Sequence, residues 1–113
     1  MKFIIAIIQP YRLETVLEQL TAKEIHLVTV SQVQGRGRQK GVPVVYRSHK
    51  ETGSLINKVK LEIAINDQYV QPTIDAILSG AQSGEIGDGK IFVLDLEQNV
   101  RVRTGELGND AIG

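Results

Sequence analysis

Residues 58–65 read KVKLEIAI, in which apolar side chains alternate with mostly polar ones. Successive side chains of a β-strand point to opposite faces of a sheet, so this alternation predicts a strand with one buried face. Asn66 or Asp67 then stands where a residue can cap a helix, and Pro72 is tolerated in a helix's first turn. The helix itself is predicted by an apolar stripe at helical spacing, formed by Val70, Ile74, Ile77 and Leu78.

The same order of elements precedes this segment. Residues 3–8, FIIAII, are rich in β-branched side chains and predict a strand that is buried on both faces. Pro10 opens a predicted helix. The apolar face of that helix consists of Leu13, Val16, Leu17 and Leu20. Residues 25–34 mix valines with small polar residues and predict a second strand, with His26 as a structural residue inside it.

Two further strands are predicted downstream, a short apolar one at residues 91–96 and a shorter alternating one at residues 100–103. Strand–helix–strand therefore occurs twice. This order predicts an α+β fold of the ferredoxin-like βαββαβ type, with both helices on one face of an open sheet. The other sheet face carries apolar side chains and has no third layer to cover it, so we expect the chain to form a homo-oligomer.

Length and composition limit the possible classes of protein. The chain has 113 residues and a mass of 12.4 kDa, which fits a single domain over residues 1–113. Lys plus Arg and Asp plus Glu number 13 each, which argues against electrostatic capture of nucleic acid or of an acidic membrane. The chain has no cysteine, which fits the reducing cytoplasm, where we expect the protein to act. The apolar run at residues 3–8 is too short to insert through a bilayer.

A long connection joins the two halves. It covers about residues 37–56, more than compact domains usually contain without a function, and its tip from His49 onward is polar. Two interpretations stay open: a β-hairpin that projects from the sheet, or a flexible arm that touches a partner, which we favour. The C-terminal tail, about residues 104–113, is small and polar, and we expect it to be mobile without ligand.

Three segments combine glycine with basic residues: 35–41 (GRGRQKG), 87–90 (GDGK) and 101–105 (RVRTG). Glycine lets the backbone approach an anion, and arginine or lysine supplies the matching charge. Each segment alone has an ordinary explanation, as turn glycines or as a solvated strand face. Together they predict a crevice for an anion such as a nucleotide phosphate. The runs do not match the P-loop pattern, and two separated histidines make a poor metal site.

At these segments the sequence resembles the PII signal-transduction family, the small trimeric regulators of nitrogen metabolism. The resemblance covers essentially the whole chain. Residues 35–41 resemble the entry to the family's long loop, and Tyr46-Arg47 falls where the family carries a Tyr-Arg pair. Residues 83–93 and 100–106 are similar to the family's second and third signatures.

The resemblance implies a homotrimer with ATP or ADP in each cleft between subunits. Phosphates would meet residues 37–39 and 87–90, while Arg101 and Arg103 would arrive from the neighbouring subunit. Thr29, Glu62 and Ala64 would line the adenine and ribose. The implied nucleotide-binding residues are Thr29, Gly35, Gly37, Arg38, Gln39, Glu62, Ala64, Gly87, Asp88, Gly89, Lys90, Arg101 and Arg103.

The resemblance also implies a 2-oxoglutarate site. A Mg²⁺ ion would be held by ATP, by the oxoacid and by the Gln39 side chain, which is the only implied metal ligand from the protein. Lys58 would pair with the distal carboxylate of the oxoacid. The implied oxoacid residues are Gln39, Lys40, Gly41, Lys58 and Gly87. Partners would be reached through the loop, with Tyr46 and Arg47 in contact with an ammonium channel or with a metabolic enzyme or transporter.

Three positions depart from the family's pattern. Gln9 stands where many relatives carry Lys or Arg, which predicts a weaker oxoacid site. Glu51 replaces the tyrosine that relatives have uridylylated, and His49 replaces a serine that cyanobacterial relatives have phosphorylated. The usual covalent switches are therefore expected to be absent.

The function that this predicts is a trimeric regulator, not an enzyme, that senses ATP or ADP and 2-oxoglutarate. One alternative is a small ATP-hydrolysing or phosphoryl-transfer enzyme, but no positioned base or nucleophile is evident in the sequence. Another is an RNA-binding module of ferredoxin-like fold, which would need aromatic side chains on the open sheet face. The few aromatic residues are too dispersed for that role.

Overall fold

The computed structural model of the chain describes residues 1–37 and 55–113. Within these ranges the strands are β1 (Lys2–Ile8), β2 (Thr29–Gly35), β3 (Ile56–Ile65) and β4 (Gly89–Asp95). The helices are α1 (Leu13–Ala22) and α2 (Val70–Ala81). A short 3-10 turn precedes each helix, at Pro10–Arg12 and Asp67–Tyr69, and a third lies at Asn109–Ala111.

The four strands form one antiparallel sheet in the order β2-β3-β1-β4. β1 lies at the centre, where Ile4 pairs with Ile63 of β3 on one side and with Val93 of β4 on the other. The order of elements along the chain is βαββαβ. The prediction of a ferredoxin-like α+β fold is therefore confirmed.

The core lies between the helices and one face of the sheet. Alternate residues of β3 are buried there, as the pattern of residues 58–65 predicted. The buried apolar side chains of this cluster are Ile4, Ala6 and Ile8 of β1, Val59, Leu61, Ile63 and Ile65 of β3, Val16 and Leu20 of α1, Ala76, Ile77 and Ala81 of α2, and Ile25 in the loop after α1. The buried hydroxyl of Thr73 donates a hydrogen bond to the Tyr69 carbonyl at 2.7 Å, so its burial leaves no unpaired donor.

The two helices approach each other closely at Gly80. A Cβ added to this residue would lie 2.7 Å from the Val16 Cα atom, which is closer than side chains pack. Glycine at this position therefore sets the separation of α1 and α2, and through it the fit of both helices on the sheet.

The opposite face of the sheet, here called the open face, has no layer over it within the described residues. Its members follow from the strand register: Phe3, Ile5, Ile7, Thr29, Ser31, Val33, Lys58, Lys60, Glu62, Ala64, Lys90, Phe92 and Leu94. The prediction that residues 3–8 are buried on both faces is therefore wrong for a single chain. Ile4, Ala6 and Ile8 are buried, but Phe3, Ile5 and Ile7 are only partly so, because both helices lie on the other side.

The predicted strand at residues 100–103 is also wrong. Val100 makes an isolated bridge to Leu107, and the chain between them turns back on itself. The Gly105 N–H donates to the Arg101 carbonyl at 2.7 Å, and Gly105 has a φ of 76°, which glycine adopts without strain. Val102 is 98% exposed, so the alternation there corresponds to no buried face.

His26 was predicted inside a strand but lies in the loop before β2, where it is exposed, because strand pairing begins only at Thr29. Gly35 and Ile56 end the paired part of the β2–β3 hairpin. Most of the long connection, residues 38–54, lies outside the described residues, so the predictions of a hairpin or a flexible arm stay predictions. The predicted mobility of the tail also stays a prediction.

Candidate ligand-binding cleft

A crevice opens where the end of β2, the start of β3 and the loop before β4 meet. It has a volume of about 420 Å³. Its lining includes Gly35, Gly37, Lys58, Gly87, Gly89 and Lys90 from the predicted site, together with Ile7, Arg36, Ile56, Ile86 and Phe92. The sheet topology thus brings residues 35–37, the described part of the first glycine-and-basic segment, next to the second segment, residues 87–90, which is far away in the sequence.

The loop of residues 83–88 is organised by Asp88. Its carboxylate accepts hydrogen bonds from the Ser83 N–H at 2.7 Å, the Ser83 hydroxyl at 2.5 Å and the Gly84 N–H at 2.9 Å. These bonds, led by that of the Ser83 hydroxyl, lower the pKa of Asp88 from its ordinary value. Asp88 was predicted as a nucleotide contact, but its carboxylate faces its own loop, where it fixes the backbone that leads to Gly87 and Gly89.

The carbonyl of Gly87 connects this loop to β3 and to the residue that follows β1. It accepts a hydrogen bond from the Lys58 ammonium at 2.7 Å and another from the Gln9 side-chain amide at 2.8 Å. This bond holds Lys58 at the crevice. Among the described residues no carboxylate forms an ion pair with its ammonium group. A carbonyl is a neutral partner, so an entering anion would gain the full attraction of the ammonium group.

Gly89 allows β4 to start against β1. Its φ is 116°, and an added Cβ would lie 1.7 Å from the Ile7 carbonyl oxygen. No other residue type fits this position without moving the backbone. The adjacent Lys90 enters β4 on the open face, opposite Ile7. The close approach at Gly89 therefore directs the Lys90 side chain towards the crevice.

A second pocket of about 390 Å³ lies farther along the same face. Its lining contains Thr29, Glu62 and Ala64, the three residues predicted for adenine and ribose, with Phe3, Leu27, Val28 and Ile112. Thr29 pairs with Glu62 across β2 and β3. We call this the base pocket, because of the predicted role of its residues.

Arg101 and Arg103 line neither of these two pockets. Both lie in the C-terminal turn. The Arg101 guanidinium bonds to Glu106 at 2.5 Å and also donates to the Asp110 and Gly113 carbonyls at 3.3 and 3.0 Å. Arg103 is exposed. A single chain therefore does not bring the third glycine-and-basic segment to the crevice.

Several predicted residues lie outside the described ranges, namely Arg38, Gln39, Lys40, Gly41, Tyr46 and Arg47. The predicted Mg²⁺ ligand, Gln39, is one of them. Over residues 1–37 and 55–113 no group of three or more His, Asp or Glu side chains is placed to hold a metal ion.

Sequence reasoning missed the apolar lining residues Ile7, Phe92 and Ile112. Ile7 and Phe92 lie on the open face, so the strand alternation carried a usable signal for them. Ile112 had no such signal, because its position depends on how the C-terminal tail folds back. A wider concavity of about 790 Å³ lies beside the base pocket at the end of β3, and Ala64 is the only predicted site residue in its lining.

Known proteins similar to this chain match it almost from end to end. A family profile described as nitrogen regulatory protein P-II matches residues 1–106. The chain belongs to the P-II family of nitrogen regulatory proteins. The nitrogen regulatory protein GlnK1 of Methanosarcina mazei is 47% identical over 114 residues, covering 99% of this chain and 97% of the relative. The P-II protein of Pasteurella multocida is 48% identical over 112 residues, covering 99% of this chain and all of the relative.

A solved structure agrees with the fold. The crystal structure of Arabidopsis thaliana PII bound to citrate has a TM-score of 0.79 and 38% sequence identity, covering 98% of this chain and 88% of that one. The relatives are named as regulatory proteins, which confirms the prediction of a signal-transduction regulator in nitrogen metabolism over the enzyme alternative. None of the helices among the described residues is long and apolar enough to cross a membrane.

Proposed function

We propose that this P-II protein senses adenine nucleotides, ATP or ADP, in the cleft formed by the crevice and the base pocket. The observation that carries this proposal is the position of both pockets on the open face. Lys58 and Glu62 are four residues apart on one side of β3, which corresponds to about 13 Å along a strand. A nucleoside polyphosphate spans that distance with its base at one pocket and its phosphates at the other.

The crevice has the chemistry of a phosphate site. Backbone at Gly35, Gly37 and Gly89 has no side chain to keep an anion away. Lys90 and Lys58 supply positive charge from two different strands. Arg38 and Gln39, by resemblance to the family, would complete this end of the cleft. Arg101 and Arg103 would approach from a neighbouring subunit.

The base pocket has the chemistry of a nucleoside site. The Glu62 carboxylate accepts hydrogen bonds and suits the hydroxyl groups of a ribose. Thr29 lies opposite it on β2, Ala64 lies two residues farther along β3, and Phe3 and Ile112 give the pocket apolar walls that suit a planar base. The lining therefore fits an adenosine group better than it fits phosphate.

A 2-oxoglutarate site beside the phosphates is part of the same proposal. Lys58 would receive the distal carboxylate of the oxoacid, in exchange for its bond to the Gly87 carbonyl. Mg²⁺ would be held by ATP, by the oxoacid and by Gln39, and would separate the charges of two anions. The citrate bound to the Arabidopsis relative supports a polycarboxylate ligand by analogy. Gln9 supplies an amide where many relatives have a cation, which predicts weaker oxoacid binding.

The working assembly is proposed to be a homotrimer in the cytoplasm. On the open face Phe3, Ile5 and Ile7 are partly exposed, and Phe92 is 47% exposed, which favours burial against further copies of the chain. Partner proteins would be an ammonium channel or a metabolic enzyme or transporter, reached through the residues between β2 and β3, with Tyr46 and Arg47 in contact. Neither nucleic acid nor insertion into a membrane is part of this function.

Calorimetric titration tests the proposal. ATP, ADP and AMP are titrated separately, each with and without Mg²⁺ and 2-oxoglutarate. ATP or ADP should bind without the oxoacid, and 2-oxoglutarate should bind only when ATP and Mg²⁺ are present. An absence of binding by every nucleotide at millimolar concentration would overturn the proposed function.

A further inference from the structure

Two side chains share the carbonyl oxygen at the end of the loop of residues 83–88. The Gly87 carbonyl accepts one hydrogen bond from the Gln9 amide at 2.8 Å and one from the Lys58 ammonium at 2.7 Å. A carbonyl oxygen has two lone pairs, so these two bonds use its whole accepting capacity. Gly87 is half-buried, and the loss of both donors at once would leave an acceptor unpaired there, which is unfavourable.

The first donor, Gln9, belongs to a part of the backbone that is fixed on both sides. It directly follows β1, which ends at Ile8, and its own carbonyl accepts the Arg12 N–H at 3.0 Å in the 3-10 turn that follows. Because Pro10 comes next, the backbone of Gln9 is restricted to extended conformations, and it is extended in the structure. Gln9 therefore offers its neutral amide from a constant position.

The second donor, Lys58, is free to turn away. Its ammonium lies at the end of a flexible four-carbon stem that rises from β3. Hydrogen bonds from an ammonium group to a carboxylate are stronger than those to a neutral carbonyl. When the distal carboxylate of an oxoacid enters the crevice, Lys58 is thus the donor that leaves the Gly87 carbonyl, and Gln9 is the donor that stays.

The Gly87 carbonyl lies at a sensitive point of the cleft. The loop before it is held by the bonds to the Asp88 carboxylate, and the backbone after it is held by the close contact of Gly89 with the Ile7 carbonyl. The same backbone leads to Lys90, which lines the crevice. A loop that loosened whenever Lys58 left would therefore displace the groups proposed to meet the phosphates.

We infer that Gln9 is a positioning residue that holds the Gly87 carbonyl after Lys58 has turned to the oxoacid, so that the loop before β4 keeps its shape in both states. This inference rests on the proposed function and adds a step to it. The resemblance concerns only the missing charge at residue 9. The structure shows that the amide faces the loop carbonyl, through which it affects how easily Lys58 can leave.

Amide exchange without ligand tests whether the two donors replace each other. The proteins are the wild type, Gln9→Met, Lys58→Met and the double variant, since methionine has a similar length but no donor. The Gly84 and Asp88 N–H groups donate within the loop and report on its order. Each single variant should change their exchange by less than about threefold. The double variant should exchange at least about tenfold faster, because the carbonyl then has no donor.

Calorimetry on the same proteins tests the role in ligand binding. With ATP alone, Gln9→Met should weaken binding by less than about twofold in the wild-type background, because Lys58 still holds the loop. In the Lys58→Met background the same change should weaken ATP binding by at least about fivefold. The lost charge of Lys58 is common to both proteins of that second pair, so the difference isolates the shared carbonyl.

The oxoacid shows the exchange of partners directly. In the presence of ATP and Mg²⁺, Gln9→Met should bind 2-oxoglutarate about five- to twentyfold more weakly than the wild type, since Lys58 can leave only by stranding the carbonyl. Gln9→Lys restores a donor and should recover at least wild-type affinity. Gln71→Met is the matched control. Its amide bonds to Asp75 within α2 at 2.9 Å, outside the lining of the crevice, and neither exchange nor binding should change.

Contrary results separate the inference from the proposed function. If Gln9→Met alone loosens the loop as much as the double variant does, or weakens ATP equally in both backgrounds, the two donors do not replace each other and the inference is wrong. It is also wrong if Gln9→Met binds 2-oxoglutarate as tightly as the wild type. If the wild type binds no nucleotide, the proposed function fails, and the exchange comparison decides the inference. Should Lys58→Met not fold, 2-oxoglutarate binding by Gln9→Met and Gln9→Lys decides it.

Discussion

Gly89 shows how one residue can serve the fold and the candidate site together. Its backbone has a φ of 116° and lies against the Ile7 carbonyl, at the point where β4 begins and the crevice opens. Lys58 and Gln9 meet at the neighbouring Gly87 carbonyl. A change at residue 89 would therefore disturb the sheet edge and the ligand contacts at once.

We predict that Gly89→Ala lowers the free energy of unfolding by about 2–5 kcal/mol, from backbone strain and steric overlap combined. Gly84→Ala is the matched control. Gly84 also has a positive φ, 88°, but an added Cβ would meet nothing within 4 Å. That variant should lose only about 1–2 kcal/mol, from conformation alone. Urea denaturation followed by circular dichroism measures both, and equal losses would mean that contact with Ile7 is unimportant.

Lys90→Ala should weaken ATP binding by about 1.5–3 kcal/mol, the scale of a lost hydrogen bond to a charged group, and Arg103→Ala should do the same. Both residues are exposed, so stability should change little. Lys23→Ala, an exposed lysine at the end of α1, removes the same charge away from the crevice. Calorimetry that finds the three variants alike would place the phosphate site elsewhere.

At the scale of the elements, β3 and the C-terminal turn explain where sequence reasoning works. Residues 58–65 and residues 100–103 both alternate, but only the first segment pairs with strands on both sides. Alternation specifies which side chains share a face, and it does not supply a pairing partner. Leu61 and Ile63 were therefore predictable core residues. The contacts of Arg101 with the tail depend on a turn that alternation does not encode.

The packing of α1 on α2 gives a prediction at the same scale. Gly80→Ala should destabilise the protein by about 1–3 kcal/mol, because its Cβ overlaps the Val16 backbone and the helices must separate. Ser79→Ala is the neighbouring exposed control and should be close to neutral. Thermal unfolding compares them. A Gly80→Ala variant as stable as Ser79→Ala would show that the helix contact adjusts without cost.

At the scale of the whole molecule, four carboxylates respond to pH in one direction. Asp67, Asp88, Asp95 and Glu106 all have a pKa below the ordinary value of their side chain. In each case the chief cause is a hydrogen bond that the carboxylate accepts. The donor is the N-terminal ammonium for Asp67, Ser83 for Asp88, Lys2 for Asp95 and Thr104 for Glu106. A pKa lower in the folded protein than in the unfolded chain contributes stability above the unfolded value. That contribution is lost as pH falls through the folded pKa.

The protein should therefore be less resistant to urea at pH 3 than at pH 7, and Asp88→Asn should reduce this dependence. Asparagine keeps one acceptor for Ser83 but does not titrate. Urea midpoints of both proteins at the two pH values make the comparison. A wild-type midpoint that stays constant or rises on acidification would contradict the assigned direction.

The last prediction concerns the assembled molecule. It follows from the crevice, the base pocket and the partly exposed open face taken together. The face is expected to be covered by further copies of the chain, and each copy is expected to have a nucleotide in its cleft. Native mass spectrometry with added ATP measures both the number of chains and the number of bound ATP molecules in one spectrum. We predict a trimer carrying up to three ATP molecules, with occupancy lost in Lys90→Ala but the trimer retained. A stable monomer at micromolar concentration, or a trimer that binds no nucleotide, would contradict the central claim.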